Sequence, residues 1–63
     1  MDLARLDPLE RTILDLRAGG ATKTQVARQL ELDRDTVDGR LAAVLAKLGA
    51  RSELQAVAAL PRS

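Results

Sequence analysis

The chain has 63 residues, a formal net charge of +1, and no cysteine, histidine or aromatic residue. A chain of this length forms one small domain, here residues 1–63, without room for a large active-site cleft. The missing thiols and imidazoles exclude most catalytic and metal sites, so we expect no enzymatic activity, no metal and no cofactor.

A cap, a proline and a glutamate mark the start of the first predicted helix. Asp7 can accept a backbone hydrogen bond, Pro8 fits the first helical position, and Glu10 can reach back to the cap. We predict a helix over residues 8–18, ended by the left-handed conformation that Gly19-Gly20 allows. Its expected core positions are Leu9, Ile13 and Leu16.

A second capping box, formed by Thr22 and Gln25, predicts a helix over residues 23–30. Its short apolar face consists of Val26, Ala27 and Leu30. Only residues 31–33 separate it from the next helix, and so short a turn makes the two helices cross. We therefore expect a helix-turn-helix, with Leu32 filling the corner.

The third predicted helix, residues 34–48, is capped by Asp33 and closed by Gly49, and it carries two stripes. The inner stripe has the spacing of a buried helical face and consists of Val37, Leu41, Val44, Leu45 and Leu48. The outer stripe is made of small residues, namely Gly39, Ala42, Ala43 and Ala46. Asp35 and Asp38 lie beside it.

The last predicted helix spans residues 53–60. Ser52 and Gln55 give a third capping box, and Pro61 stops the helix. No strand pattern is present, so the predicted fold is an all-α, four-helix helix-turn-helix domain.

The apolar runs are too short for a membrane protein, since the longest covers only residues 56–60. The N-terminus also lacks the basic and apolar regions of a secretory signal, and a cytoplasmic protein is expected. Residues 21–51 carry six basic and four acidic side chains, a small excess for a module that binds phosphates.

Residues 6–60 resemble the C-terminal helix-turn-helix domain of LuxR/FixJ/NarL-type (GerE-like) bacterial regulators. The resemblance is carried by Leu6-Asp7-Pro8, Glu10, Ile13-Leu14, Ala18, Gly20, Thr22, Val26-Ala27, Leu30, Thr36-Val37, Lys47-Leu48-Gly49, Arg51-Ser52 and Gln55-Ala56-Val57. It implies a transcription-regulator domain that binds duplex DNA, with the third helix in the major groove and the fourth helix supporting a homodimer. A shorter match, Thr36-Val37 with Arg40-Leu41, is similar to the promoter-reading domain of sigma factors.

The resemblance places candidate DNA contacts at the start of the second helix and along the third. Candidate phosphate contacts are Lys23, Thr24, Arg34, Arg40 and Lys47. Candidate base-reading positions are Thr36, Asp38 and Gly39. Where the family usually has lysine this chain has Asp38, which phosphates repel but which can accept a hydrogen bond from cytosine. Lys23-Thr24 also fits a simple helix start, and Lys47 a solvated surface charge.

The outer stripe gives an alternative function, a protein-interaction module with weak or no DNA binding. A glycine inside a helix costs roughly 0.5–1 kcal/mol relative to alanine, which suggests a need for close approach. A partner helix or a second copy could pack on Gly39, Ala42, Ala43 and Ala46. Leu54 and Ala58 on the fourth helix offer a competing dimer surface.

Overall fold

Four α-helices follow a short 3-10 turn in the computed structural model, which describes residues 2–61. The turn spans Leu3–Arg5, and the helices are α1 (Pro8–Ala18), α2 (Lys23–Leu30), α3 (Arg34–Leu48) and α4 (Glu53–Ala58). No strand occurs within the described range. The domain is therefore the all-α helix-turn-helix expected from the sequence, and the bounds of α1 to α3 coincide with the predicted ones.

The first three helices begin at side-chain caps. Asp7 accepts from the amide of Glu10 at 2.8 Å and donates its own amide to the Glu10 carboxylate at 3.0 Å, which completes a capping box. Thr22 and Gln25 repeat this exchange at α2. Asp33 caps α3 by accepting from the amide of Thr36 at 2.7 Å. These bonds satisfy amides that have no partner inside the helix.

α4 differs from its prediction at both ends. Ser52 accepts from the amide of Gln55 at 3.3 Å, but the Gln55 side chain accepts from Arg51 rather than from Ser52, so the predicted capping box is only half formed. The helix ends at Ala58, two residues before the predicted end. Beyond it the chain tightens into a turn, because Pro61 disfavours a helical conformation for the residue before it.

The turn between α2 and α3 contains a residue with positive φ that is not glycine. Glu31 has φ 57° and ψ 40°, and its amide reaches the carbonyls of Ala27 and Arg28 at the end of α2. The amide of Leu32 then donates to the Ala27 carbonyl at 2.8 Å, and the Leu32 side chain packs beside α2 and α3. This geometry turns the chain sharply and fixes the crossing of the two helices.

Two apolar clusters form the core, and α3 contributes to both. The first joins α1, α3 and α4 through Leu6, Leu14, Val44, Leu48 and Ala56. The second joins α1, α2 and the start of α3 through Ile13, Val26, Ala27, Val37 and Leu41. Leu45 of the inner stripe is only half-buried, at the edge of the first cluster.

The core of α1 differs from the predicted set. Ile13 and Leu14 are both fully buried, whereas Leu9 and Leu16 are half-buried at the margin of the second cluster. Adjacent residues can both be buried because α1 lies between the two clusters and presents one side chain to each. A single-face helical pattern does not describe such a helix.

Candidate nucleic-acid interface

The outward face of α3 is an exposed ridge of short side chains. We call Asp35, Gly39, Ala42 and Ala46 the exposed ridge, since all four are exposed and recur at helical spacing. Ala43 lies beside it and is half-buried. A Cβ atom added at Gly39 would meet nothing within 4 Å, so packing inside the domain does not require this glycine.

On the side of α3 toward α2, Asp38 lies between two cations. Its Oδ1 atom is 3.2 Å from the Lys23 ammonium and 3.8 Å from Nε of Arg34. The same Oδ1 atom is inaccessible to solvent and accepts no well-aligned hydrogen bond among the described residues, although the Asp38 side chain as a whole is 43% exposed. One oxygen of the carboxylate is therefore covered by the cations, and the remainder of the group faces outward.

On the opposite side of α3, two further cations are paired with the start of α1. The Arg40 guanidinium lies 3.4 Å from the Asp7 carboxylate, and both side chains are exposed. Lys47 donates to Oε1 of Glu10 at 2.5 Å. Glu10 is only 1% exposed, so Lys47 neutralises a buried charge. The hydrogen bond from Lys47, followed by that from the Asp7 amide, lowers the pKa of Glu10.

Arg17 connects the end of α1 to the start of α4. Its guanidinium donates to both oxygens of Glu53, at 2.7 and 3.2 Å, and to the Ala21 carbonyl at 2.8 Å. This hydrogen bonding lowers the pKa of Glu53 and raises that of Arg17; the charge of Lys23 lowers the pKa of Glu53 further, and that of Asp38 opposes it. These side chains form one group, the charge cluster, made of Arg17, Lys23, Arg34, Asp38 and Glu53.

The first turn of α2 presents unpaired backbone donors next to the charge cluster. The amides of Lys23 and Thr24 have no acceptor among the described residues, because no helical carbonyl lies one turn before them and Thr22 accepts only from the amides of Gln25 and Val26. The Thr24 side chain is exposed. Free amides and a positive helix end at this position suit an oxyanion such as a phosphate.

The predicted DNA-contacting residues thus fall into two groups. Lys23, Thr24, Arg34 and Asp38 lie together around the start of α2, while Arg40 and Lys47 lie on the other side of α3 and contact α1. Thr36 is half-buried, and Gly39 lies on the exposed ridge. The i,i+4 spacing on α3 indicates the pair of Arg34 with Asp38, but the partners of Lys23, Arg40 and Lys47 lie on other helices or at their caps and could not be predicted from local spacing.

The largest exposed apolar side chain of the described range is on α4. Leu54 is 78% exposed, and Ala58, one turn later, is exposed as well. Leu54 borders a mostly apolar groove that it lines together with Val57 and Leu60, and the residues that line it from the end of α1 are Asp15, Ala18 and Gly19. Within residues 2–61, no helix has both the length and the apolar character needed to cross a membrane.

Comparison with known proteins identifies the domain. Residues 4–60 match the family described as bacterial regulatory proteins, luxR family. Comparisons with curated proteins and with solved structures gave no significant match. The family match covers nearly the whole chain, including all four helices and the turn at Glu31. The chain therefore belongs to the luxR family of bacterial regulatory proteins and is a DNA-binding helix-turn-helix regulator domain.

Proposed function

We propose that the domain binds duplex DNA as a homodimer in the bacterial cytoplasm, with α3 in the major groove. The proposal is carried by the family match over residues 4–60, which includes both helices of the helix-turn-helix. The second helix of this motif is the one that reads base edges, while the first helix lies across the backbone. In this chain these helices are α3 and α2.

Phosphate contacts are assigned to both sides of α3. The free amides of Lys23 and Thr24, together with the Lys23 and Arg34 side chains, bind the backbone on one side of the groove. Arg40 binds it on the other side, after leaving its exposed pair with Asp7. Lys47 has a smaller part in binding, because its ammonium is already held by the buried Glu10.

The cations of this surface are paired with acids of the same chain, and binding must break or share these pairs. The Arg40–Asp7 pair is exposed, and such pairs contribute only about 0–1 kcal/mol, so a phosphate can take Arg40 from Asp7 at low salt. The Lys23 ammonium has three donors and can bind a phosphate while it stays beside Asp38. The affinity is therefore expected to be modest and strongly dependent on salt.

We expect fluorescence anisotropy titrations with mixed-sequence duplex DNA to show this dependence. Each neutralised phosphate lowers the logarithm of the affinity by about 0.9 per logarithmic unit of salt, which gives about 2.7 for a protomer that contacts three. No binding at 20 mM salt, with the domain shown to be folded by circular dichroism, would contradict the proposal.

The dimer surface is assigned to α4. Leu54 is a large apolar side chain with 78% exposure, and with Ala58 it gives one face of α4 a contiguous apolar strip. Leu54 and Ala58 also line the neighbouring groove, so the exposed apolar surface is contiguous, as in an association surface, and is not a single scattered residue. An α4 dimer would leave α3 and the start of α2 available to DNA.

The exposed ridge supports a second candidate, a protein-interaction module that uses α3 itself. This candidate is supported by Gly39, which is exposed on the outward face of α3. The domain itself has space for a Cβ atom at this position, so its own packing does not explain the glycine. Gly39, Ala42 and Ala46 have short side chains and leave room for a partner helix to approach closely. Together with Ala43 they are the outer stripe that was identified in the sequence. The ridge also lacks side chains that donate hydrogen bonds to bases.

One sedimentation experiment separates the two surfaces. In the proposed DNA-binding dimer, Leu54→Glu produces monomers because it places a charge in the apolar α4 contact, while Ala43→Glu leaves association unchanged. In the interaction module the results are reversed. Parent and Leu54→Glu proteins that sediment alike as dimers would therefore exclude α4 as the dimer surface.

A further inference from the structure

Asp38 places a carboxylate on the helix that is assigned to the major groove. It lies in the first half of α3, one turn after Arg34, and its side chain is 43% exposed. Residues near the start of such a helix are the ones that contact base edges. A bare carboxylate there would be repelled by the phosphates on either side of the groove.

Two cations from two different helices remove that repulsion. Lys23 at the start of α2 and Arg34 on α3 lie 3.2 and 3.8 Å from the same oxygen, Oδ1. Together the three side chains carry a net charge of +1, and the adjacent Arg17–Glu53 pair adds none. The site as a whole is thus attracted to DNA although it contains an acid.

The same contacts fix the direction of the carboxylate. Because Oδ1 is inaccessible and lies against the cations, the exposed part of the group is the side that carries Oδ2. A polar atom that is already held in one orientation loses less conformational freedom when it binds a base, and the two cations hold Asp38 in this way. Asp35, by contrast, is exposed and has no ion pair among the described residues.

The chemistry of a carboxylate limits what this oxygen can bind. An ionised aspartate only accepts hydrogen bonds. In the major groove guanine presents two acceptors and thymine an acceptor and a methyl group, and adenine presents its amino donor next to the acceptor N7. Cytosine presents an amino donor alone. Cytosine is therefore the base that a fixed carboxylate favours.

We infer that Asp38 is a specificity-determining residue that accepts a hydrogen bond from the N4 amino group of cytosine. This inference rests on the proposed function, since it needs α3 to enter the major groove. Lys23 and Arg34 act as positioning residues for the carboxylate, in addition to any contact with phosphates. Gly39 and Ala42 next to it leave space for the base edge and read nothing themselves.

Selection from a library of random duplexes tests the inference, with the parent, Asp38→Asn and Asp35→Asn compared at the same low salt. The parent should enrich cytosine at one position of each half-site by about tenfold over the other bases. Asp38→Asn should change that preference to adenine, because a carboxamide can bond to N6 and N7 together. Asp35→Asn removes the same charge from the same helix and should keep the preference for cytosine.

The outcomes distinguish this inference from the proposed function. If parent and Asp38→Asn both bind duplex DNA and enrich the same base at every position, Asp38 reads nothing and the inference is overturned while DNA binding stands. A changed preference in Asp35→Asn instead of Asp38→Asn would also overturn it. If the folded parent enriches no duplex and shows no binding by anisotropy, the proposed function and the inference fail together.

Discussion

Replacing Lys47 by methionine is expected to lower the free energy of unfolding by about 2 kcal/mol, a large part of the stability of so small a domain. The change keeps the length of the side chain but removes the ammonium that donates to Glu10. Glu10 is 1% exposed, so its charge would remain buried with only the Asp7 amide as a donor. Urea denaturation followed by circular dichroism measures the effect.

A double-mutant cycle separates the buried charge from simple loss of packing. Glu10→Gln combined with Lys47→Met removes both charges, so the double variant should be more stable than Lys47→Met alone. Arg11→Met is the matched control, because Arg11 forms an exposed pair with Asp15 along α1 and its loss should cost under about 0.5 kcal/mol. Equal losses in Lys47→Met and Arg11→Met would show that the Glu10 pair does not stabilise the domain.

The pH dependence of stability has a definite sign at this pair. The pKa of Glu10 is lowered below its ordinary 4.5, so its contribution is fully present above that pH and is lost as the pH falls through the lowered pKa. Lys47 is the largest cause of the shift, and burial acts in the opposite direction. The difference in stability between the parent and Lys47→Met should therefore shrink as the solution is acidified toward pH 3.

Local chemistry explains why the helices could be predicted from the sequence. Asp7, Thr22 and Asp33 each act on an amide three residues away, so the signal and its effect lie in the same few residues. The left-handed backbone conformation of Glu31 could not be predicted, because residues other than glycine rarely adopt it. There the packing of Leu32 against the two helices outweighs the local preference.

The candidate site was less predictable because its charges act across the fold. The bond between Lys47 and Glu10 joins residues that are 37 positions apart, and no periodic pattern records such a contact. For Asp38, which stands where the family usually has lysine, the sequence indicates only the partner on its own helix, Arg34. Only the crossing of α2 over α3 brings Lys23 to it.

Internal pairing therefore changes how the weak basic character of the chain is interpreted. A net charge of +1 suggests little attraction to DNA. Yet Arg40 is held by Asp7 in an exposed pair that costs little to open, and Lys23 can bind a phosphate while it stays beside Asp38, so both cations are available near the groove. Each of these cations is balanced by an acid of the same chain, so replacing one member of a pair also leaves its partner's charge unbalanced.

Lys23→Gln is the substitution with the largest expected effect on DNA binding. It removes a phosphate contact at the start of α2, and it also leaves the Asp38 carboxylate facing DNA with Arg34 as its remaining cation. Affinity for mixed-sequence duplex at low salt should fall by about tenfold or more, and the salt slope should decrease by about 1 per protomer. Anisotropy titrations at several salt concentrations measure both quantities.

Arg28→Gln is the matched control, since Arg28 is an exposed cation in the last turn of the same helix and changes the net charge equally. If overall charge alone determined the affinity, the two variants would lose affinity alike, and Lys23 would have no special effect through its phosphate contact or through Asp38. We expect Arg28→Gln to keep the parent slope, and Asp38→Asn added to Lys23→Gln to restore part of the affinity. That recovery should exceed the one that Asp35→Asn gives in the same Lys23→Gln background, because both changes restore the same net charge but only Asp38 has lost Lys23 as its partner.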